Sequence, residues 1–203
     1  EFVSADGTRK WLIESFSGKL FELVYIPEKS RGTLCVSSQV GCALKCDFCS
    51  TGKLGFINNL TAAEIVAQIR IAIRRLAEIF PENKKRSVSN IVFMGMGEPL
   101  LNLPNVLPAL DVIRSDLGYG ISKRRVTVST SGIVPGISVL ADKTDVSLAI
   151  SLHAPNDRLR DRLMPLNKKY PISLLLDACR ASSEKFSHKK EIFVEYTLLE
   201  GVN

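Results

Sequence analysis

Long apolar runs are absent from this sequence: no stretch approaches the roughly 20 consecutive apolar residues that a membrane-spanning helix requires. The chain does not open on a basic segment followed by an apolar one, which is the pattern of an export signal. Internal repeats and low-complexity tracts are also missing. These absences predict a cytoplasmic protein that has no membrane anchor.

Cysteine and histidine are scarce, with five cysteines and two histidines in 203 residues. The cysteines lack the paired spacing of a disulfide scaffold, which indicates a reducing cytosol. Three of them form one short motif, Cys42-x3-Cys46-x2-Cys49. The other cysteines and both histidines lie at distant positions: Cys35, Cys179, His153 and His188.

Three thiolates within this motif can bind one inorganic centre, but they leave it one ligand short. Structural zinc sites use four protein ligands, and ordinary ferredoxin-type clusters use four cysteines. A site with an open position is what an iron–sulfur cluster needs if it must also bind a substrate. The motif therefore predicts an open iron–sulfur cluster. The alternatives are zinc with a distant fourth ligand and buried thiols without a metal.

The chain has 27 lysines and arginines against 21 aspartates and glutamates, a formal net charge of +6. Much of the excess lies in short basic groups at residues 84–86, 123–125, 168–169 and 189–190. A positive balance suits a polyanionic RNA partner, because neutralising phosphates releases counterions. Such groups are also typical of solvated surfaces, so the charge permits RNA binding without demonstrating it.

The first 30 residues predict a β-hairpin, because residues 10–14 and 20–25 alternate in strand fashion around a turn at Ser17-Gly18. A strand is predicted at residues 33–37, directly before the cysteine motif. Thr61 and Glu64 form a capping box, and the helix that follows is predicted to end near Phe80.

From residue 89 onward, strands alternate with helices. The predicted strands are residues 89–94, 125–129, 146–152 and 192–199, and the predicted helices are 106–113, 133–140, 158–163 and 172–185. This alternation is typical of a parallel sheet covered by its connections. The predicted fold class is α/β, a partial (β/α) barrel over residues 31–203 preceded by the short β-hairpin of residues 1–30.

Chemically useful residues follow four successive predicted strands. The cysteine motif follows the first, Gly97-Glu98 the second, Ser129 ends the third, and Ser151-Leu152-His153 ends the fourth. In (β/α) barrels, functional sites are built at the carboxyl ends of the strands. The sequence therefore predicts that these residues share one rim.

The cysteine spacing resembles the signature of the radical S-adenosylmethionine (SAM) superfamily. The longer runs Thr33-Leu-Cys-Val-Ser-Ser-Gln-Val-Gly-Cys42 and Gly95-Met-Gly-Glu-Pro-Leu100 are similar to those of its RlmN/Cfr family. Members of that family methylate adenosine in 23S ribosomal RNA and, in some cases, in transfer RNA. The resemblance extends over nearly the whole chain.

The resemblance implies two cofactors, a [4Fe–4S] cluster and SAM. Cys42, Cys46 and Cys49 would hold three irons, and the methionine part of SAM would chelate the fourth. The apolar Phe48 would shield the cluster. The implied SAM-binding residues are Gly97, Glu98, Ser129, Ser151, Leu152 and His153.

Taken alone, Gly95-Met-Gly-Glu98 is typical of a glycine-rich turn, and it lacks the third glycine of a dinucleotide-binding fingerprint. Beside an open cluster, glycine lets the methionine ammonium approach the backbone, and Glu98 offers that charge a carboxylate. A single histidine such as His153 is more often structural, but its place after a strand, next to Ser151, favours cofactor binding.

The resemblance also assigns catalytic roles to Cys35 and Glu22. In the family, a cysteine near the C-terminus carries a methyl group from one SAM, and a radical from a second SAM activates that methyl for addition to adenine. The equivalent of Cys35 then forms a disulfide that releases the methylated RNA, and the equivalent of Glu22 accepts a proton. On the residues alone, Cys35 would be a small buried side chain and Glu22 a solvent-facing one.

The chain starts at Glu1 and stops at Asn203 after an apolar segment, so it is predicted to be an excerpt of a longer protein. The family's N-terminal helical domain, last barrel strands and methyl-carrying cysteine are not in it, so the chain alone is expected to be inactive. The expected partners are 23S ribosomal RNA, transfer RNA and an electron donor such as flavodoxin or ferredoxin. A monomer is expected.

The predicted activity is methylation of carbon 2 of an adenine ring. That carbon is not nucleophilic, so polar methyl transfer from SAM would fail, and a radical route explains the cluster. Two alternatives stay open: methylation of carbon 8 by a sister enzyme, and a non-catalytic iron–sulfur or zinc protein that binds RNA.

Overall fold

The computed structural model describes residues 1–29, 31–81, 88–185 and 191–203. The basic residues Lys84, Lys85, Arg86, Lys189 and Lys190, and also His188, lie outside the described residues. Within the described ranges, no helix combines the length and the apolar character that crossing a membrane demands.

In the part of the chain that the structure describes, ten strands form two sheets. Their bounds are β1 Phe2–Val3, β2 Arg9–Glu14, β3 Leu20–Pro27, β4 Gly32–Cys35, β5 Gln39–Gly41, β6 Phe56–Asn59, β7 Asn90–Phe93, β8 Val126–Thr130, β9 Ser147–Ser151 and β10 Phe193–Glu195. The main sheet has the order β1-β2-β3-β4-β7-β8-β9-β10, and β5 pairs with β6. The pairs from β1 to β4 are antiparallel, and those from β4 to β10 are parallel.

The helices are α1 Ser50–Leu54, α2 Ala62–Ile79, α3 Leu103–Arg114, α4 Val134–Lys143, α5 Asp157–Leu163 and α6 Ile172–Lys185. The first lies between the antiparallel strands β5 and β6, and the others lie in the connections between parallel strands. The predicted capping box is confirmed at α2: Glu64 N–H donates to Thr61 Oγ1 at 3.2 Å, and Thr61 N–H donates to Glu64 Oε2 at 2.8 Å. Parallel strands need such crossover connections, because a tight turn reverses the chain direction and so joins only antiparallel strands.

One face of the main sheet packs against the helices. Leu34, Ile91 and Val128 on the strands are buried with Ile69 and Leu110 on the helices. Trp11, Phe21 and Leu23 of the hairpin belong to the same core. Because side chains alternate along a strand, the other face carries the intervening residues, and it lines the hollow of an open barrel.

The predicted α/β partial barrel is confirmed, and β1 and β10 are the two edges of the described main sheet. The strand predicted at residues 192–199 was too long, because β10 ends at Glu195. Beyond it, Thr197 N–H donates to the His153 side chain at 3.0 Å instead of pairing with a strand. The hairpin of β5 and β6 around the cysteine motif was missed, because both strands are short.

Candidate functional site at the carboxyl ends of the strands

A cavity of about 150 Å³ opens where β7, β8, β9 and β10 end. Phe48 lies in its wall, as do eight of the residues proposed from the sequence: Cys42, Cys46, Cys49, Gly97, Glu98, Ser129, Ser151 and His153. The structure therefore brings together residues from four separate strand ends.

Backbone hydrogen bonds hold the cysteine motif in place at both sides. Cys42 N–H donates to Gly55 O at 3.0 Å, which closes the base of the β5–β6 hairpin. Asp47 N–H donates to Leu163 O at 2.9 Å, at the end of α5. Because two elements tether the loop, its three cysteines face the same cavity.

Gly41, which leads into the motif, tolerates no side chain. Its φ is 74°, and a Cβ there would lie 1.8 Å from the carbonyl oxygen of Gly55. Gly55 has nearly the same φ, 72°, but open space where its Cβ would be. Positive φ costs both substitutions about 1–3 kcal/mol, and only Gly41→Ala adds a backbone clash.

We therefore expect Gly41→Ala to lower the free energy of unfolding by more than Gly55→Ala does. The measurement is urea unfolding of both variants beside the unmodified protein. Equal losses for the two variants would show that the close approach of Gly41 and Gly55 is unimportant.

The cysteine thiols are held in a setting that disfavours free thiolates. Burial raises the pKa of Cys46 to about 11, and it also raises the pKa of Cys42. Charge on Cys42 and Cys49 raises the pKa of Cys46 further. Metals bind thiolates, so a metal must displace these protons and offset the crowded charge. The surroundings of the three cysteines therefore favour binding of a metal centre with high positive charge.

Hydrogen bonds fix the cysteine loop against the loop that follows β7. The N–H groups of Ser38 and Gln39 donate to Met96 O at 2.9 and 3.2 Å. Glu98 N–H donates to Gln39 Oε1 at 2.8 Å, and Asn102 Nδ2 donates to Ser38 O at 2.8 Å. Gln39 and Asn102 were not predicted as site residues, because isolated amide side chains form no motif. Their role in joining the two loops is evident only from their buried hydrogen bonds.

Glu98 is a buried carboxylate with a fixed orientation. Its Oε1 accepts from Leu100 N–H at 3.1 Å, and its Oε2 accepts from Ser131 N–H at 2.8 Å. Burial raises the pKa of Glu98, while these hydrogen bonds act in the opposite direction. The side chains of Thr130 and Ser131 also hydrogen-bond to this carboxylate. Glu98 lies in the cavity wall, where its negative charge faces any cation that the cavity holds.

Glu195 joins two of the predicted residues. The hydroxyls of Ser129 and Ser151 both donate to Glu195 Oε2, each at 3.1 Å. Glu195 reaches them because β10 pairs with β9 in the register that sets Glu195 beside Ser151. Glu195 was not predicted as a site residue, because a single acidic residue in an apolar segment does not reveal which residue of the neighbouring strand it pairs with.

His153 adopts a left-handed backbone conformation, with φ of 55°. Its Nδ1 accepts from Thr197 N–H at 3.0 Å, which leaves Nε2 to carry the proton of the neutral ring. Burial lowers the pKa of His153 and favours that neutral form. The ring meets Phe48 edge to face, with centroids 4.8 Å apart, so both rings form one wall of the cavity.

Three residues proposed from the sequence lie outside the cavity wall, as the described part of the chain defines it: Glu22, Cys35 and Leu152. Leu152 contributes its backbone, because its N–H donates to Glu195 O at 3.0 Å. Glu22 is half-exposed and pairs with Lys10, with 2.8 Å between Oε1 and Nζ.

Cys35 lies beside the cavity. It pairs with Val24 across β3 and β4, so its side chain is on the same sheet face as Glu22, two residues from Val24. Its sulfur accepts a hydrogen bond from the backbone of Met94, a residue of the cavity wall. Burial raises the pKa of Cys35 to about 11.

A raised pKa makes Cys35 a poor nucleophile, because the thiolate is the reactive form. We expect iodoacetamide to modify Cys35 in the folded protein at pH 7 roughly 100-fold more slowly than in the unfolded protein. In the folded protein the rate should rise with pH up to about 11, where half of the thiol is ionised. Mass spectrometry of the Cys35 peptide measures it, and the same rate in folded and unfolded protein would contradict the burial of this thiol.

The sequence profile of the radical SAM superfamily matches residues 36–203, a stretch that contains all three motif cysteines. The chain belongs to the radical SAM superfamily. Membership of this superfamily implies a [4Fe–4S] cluster and SAM as cofactors.

Curated relatives of this radical SAM protein match its whole length. Two proteins named dual-specificity RNA methyltransferase RlmN, from Pseudomonas putida and Pseudomonas entomophila, are 58% and 57% identical over 203 residues. The match covers 100% of this chain and 53% of each relative. The chain thus spans about half the length of the curated relatives that it matches.

Solved structures share the radical SAM fold. A crystal structure of a radical SAM methyltransferase from Sphaerobacter thermophilus has a TM-score of 0.91 and 44% identity, covering 100% of this chain and 58% of that one. The structure of TYW1 with a lysine-pyruvate adduct bound has a TM-score of 0.54 at 17% identity, covering 86% of this chain and 57% of that one. The second likeness shows the fold alone.

The donor set of the cavity fits the radical SAM cofactors. Three thiols and the Glu98 carboxylate line one space. In the described ranges, no three Cys, His, Asp or Glu side chains converge closely enough to hold a single metal ion. A [4Fe–4S] cluster has a different requirement, because each thiolate binds a separate iron.

Proposed function

We propose that this chain is the central part of a radical SAM RNA methyltransferase that methylates carbon 2 of adenosine in 23S ribosomal RNA and in transfer RNA. The observation that carries the proposal is the shared cavity of Cys42, Cys46, Cys49 and Glu98. The name of the curated relatives, dual-specificity RNA methyltransferase RlmN, supports the RNA substrate.

When bound, the cluster and SAM supply radical chemistry at a carbon that polar methyl transfer cannot reach. The three motif cysteines hold three irons. Glu98, already oriented by Leu100 and Ser131, accepts a charge-assisted hydrogen bond from the methionine ammonium of SAM. Gly97 allows the backbone to approach that group.

The strand ends of β8, β9 and β10 bind the rest of SAM. Ser129 and Ser151 are already bound to Glu195, which gives the cavity a carboxylate and two hydroxyls on one side. These groups match the hydrogen-bonding capacity of a nucleoside. The backbone of Leu152 and the neutral ring of His153 complete this part of the site.

Cys35 and Glu22 have catalytic roles in this proposal. Cys35 is the thiol that resolves the covalent RNA intermediate: its sulfur bonds to the sulfur of the methyl-carrying cysteine, and the bond from that sulfur to the RNA-linked carbon breaks, with its electron pair going to the RNA. Glu22 accepts a proton. Their support is their common sheet face and the contact of Cys35 with the cavity residue Met94. Because the pKa of Cys35 is about 11, its reaction requires RNA binding or a base to favour the thiolate.

The organisation and the partners are part of the same proposal. Residues 1–30 lead into the radical SAM core of residues 31–203, and further segments of the protein supply an N-terminal helical domain, the last barrel strands and the methyl-carrying cysteine. The protein works as a cytoplasmic monomer with an electron donor such as flavodoxin or ferredoxin. The net charge of +6 is compatible with its RNA substrates.

The test uses the protein expressed from its full reading frame and reconstituted anaerobically with iron and sulfide. We expect it to cleave SAM to 5′-deoxyadenosine and to produce 2-methyladenosine in 23S ribosomal RNA, identified by mass spectrometry of the digested RNA. A product methylated at carbon 8 would show the sister activity. RNA binding without SAM cleavage would contradict an enzymatic role.

A further inference from the structure

Arg160 on α5 is a fully buried arginine, with 0% of its surface exposed. Its Nε donates to Leu152 O at 3.1 Å, and its Nη1 donates to Asn167 Oδ1 at 2.8 Å. Its Nη2 donates to Ser131 O at 2.8 Å and to Ser151 O at 2.9 Å. All four acceptors are neutral oxygens. The hydrogen bonds therefore satisfy the guanidinium without neutralising its charge.

The nearest carboxylates of this network are held one residue away from the guanidinium. Asn167 Nδ2 donates to Asp157 Oδ1 at 2.9 Å and to Asp161 Oδ1 at 2.7 Å. Asp157 also caps α6 by accepting from Ile172 N–H at 2.9 Å, on the exposed side of α5. A buried charge is costly unless something nearby offsets it. Asp157 and Asp161 offset part of the Arg160 charge from one side, and a negatively charged centre on the other side would offset more of it.

That opposite side is the cysteine motif. Ser131 accepts from Arg160 through its carbonyl, and its side chain hydrogen-bonds to Cys46. Cys46 also packs against Leu163 and Met164, the residues that end α5 one turn after Arg160. Burial lowers the pKa of Arg160, and negative charge on Cys46 opposes that effect, as the charges of Asp157 and Asp161 also do.

We propose that Arg160 is a positioning residue that raises the reduction potential of the cluster through its buried charge, while it holds the ends of β8 and β9 in register. The inference rests on the proposed cluster at Cys42, Cys46 and Cys49. The three cysteine thiolates and the methionine carboxylate of bound SAM give that site excess negative charge. Reduction adds one electron from the donor, and a nearby cation in a poorly polarisable interior favours the reduced form.

The test is a spectroelectrochemical titration of anaerobically reconstituted protein, with Arg160→Met compared with Arg162→Met. Arg162 is an exposed arginine on the same helix, so the second variant makes the same change in charge at the surface. We expect Arg160→Met to lower the midpoint potential by at least about 59 mV, a tenfold change in the one-electron equilibrium constant. We expect Arg162→Met to shift it far less, because solvent screens its charge.

Two further variants separate charge from structure. Arg160→Lys keeps the charge and loses the planar guanidinium. The midpoint potential of this variant should therefore differ less from that of the unmodified protein than the midpoint potential of Arg160→Met does. Asp161→Asn removes a negative charge near Arg160 and keeps an acceptor for Asn167, so it should raise the potential. If Arg160→Met takes up no cluster, the midpoint potential of Asp161→Asn tests the proposal instead.

An unchanged potential in cluster-loaded Arg160→Met, or in Asp161→Asn, would overturn the proposal and leave Arg160 a purely structural residue. Equal shifts for the buried and the exposed arginine would also overturn it. If the unmodified protein forms no iron–sulfur cluster, the proposed function fails first, and this inference fails with it.

Discussion

Replacing Cys42, Cys46 or Cys49 with alanine should abolish the iron–sulfur cluster of anaerobically reconstituted protein. All three cysteines line one cavity, and the open cluster has no spare protein ligand to replace a lost one. The unmodified protein should contain about four irons and four sulfides and absorb near 400 nm, with bleaching by dithionite. Each alanine variant should lose this band while its far-ultraviolet circular dichroism is retained.

Cys35→Ala and Cys179→Ala are the matched controls. Cys179 is buried in the hydrophobic core on α6, and Cys35 lies outside the cavity wall. Both variants should therefore keep the full absorbance. Loss of the cluster in Cys35→Ala would make that residue a ligand, and full absorbance in a motif variant would remove that cysteine from the site. Zinc without sulfide in the unmodified protein would support the zinc alternative.

Glu98→Gln should weaken SAM binding by about 1.5–3 kcal/mol, the usual contribution of a hydrogen bond to a charged group. That range corresponds to roughly 10- to 150-fold in the dissociation constant. The physical reason is the buried position of Glu98, where a carboxylate attracts the methionine ammonium far more strongly than in water. Glutamine keeps the shape and loses the charge.

The measurement is equilibrium dialysis of labelled SAM against protein whose cluster content has been determined. Glu78→Gln is the control, because Glu78 pairs only with surface arginines of its own helix, Arg74 and Arg75, among the ion pairs of the described residues. Its SAM affinity should equal that of the unmodified protein. Unaltered affinity in Glu98→Gln with a full cluster would exclude contact between Glu98 and SAM.

Local sequence signals predicted most elements of the fold. The capping box of Thr61 and Glu64 set the start of α2, and the helix predicted at residues 172–185 coincides with the described extent of α6. The end of β10 was not predictable, because residues 192–199 stay largely apolar while their backbone partners are set by the distant His153. The hairpin of β5 and β6 depends on the same kind of long-range pairing.

The site was predictable where chemistry is concentrated in a motif at a strand end. Cys42, Glu98 and Ser151 follow different strands, and parallel pairing brings them to one rim. Glu195 and Arg160 were missed for a common reason. Glu195 is a single acidic residue in an apolar strand, and Arg160 is one of several charged residues on α5. The side-chain partners of both lie at least seven residues away along the chain. The role of such residues depends on contacts with residues far away along the chain, and a single sequence contains no local signal of those contacts.

The most direct test of the central claim is Mössbauer spectroscopy of ⁵⁷Fe-reconstituted protein with and without SAM. We expect a [4Fe–4S] spectrum in which one iron of about four changes when SAM is added, while the three irons held by Cys42, Cys46 and Cys49 do not. A spectrum in which SAM changes none of the irons would contradict the account, and so would a protein that binds zinc instead of iron.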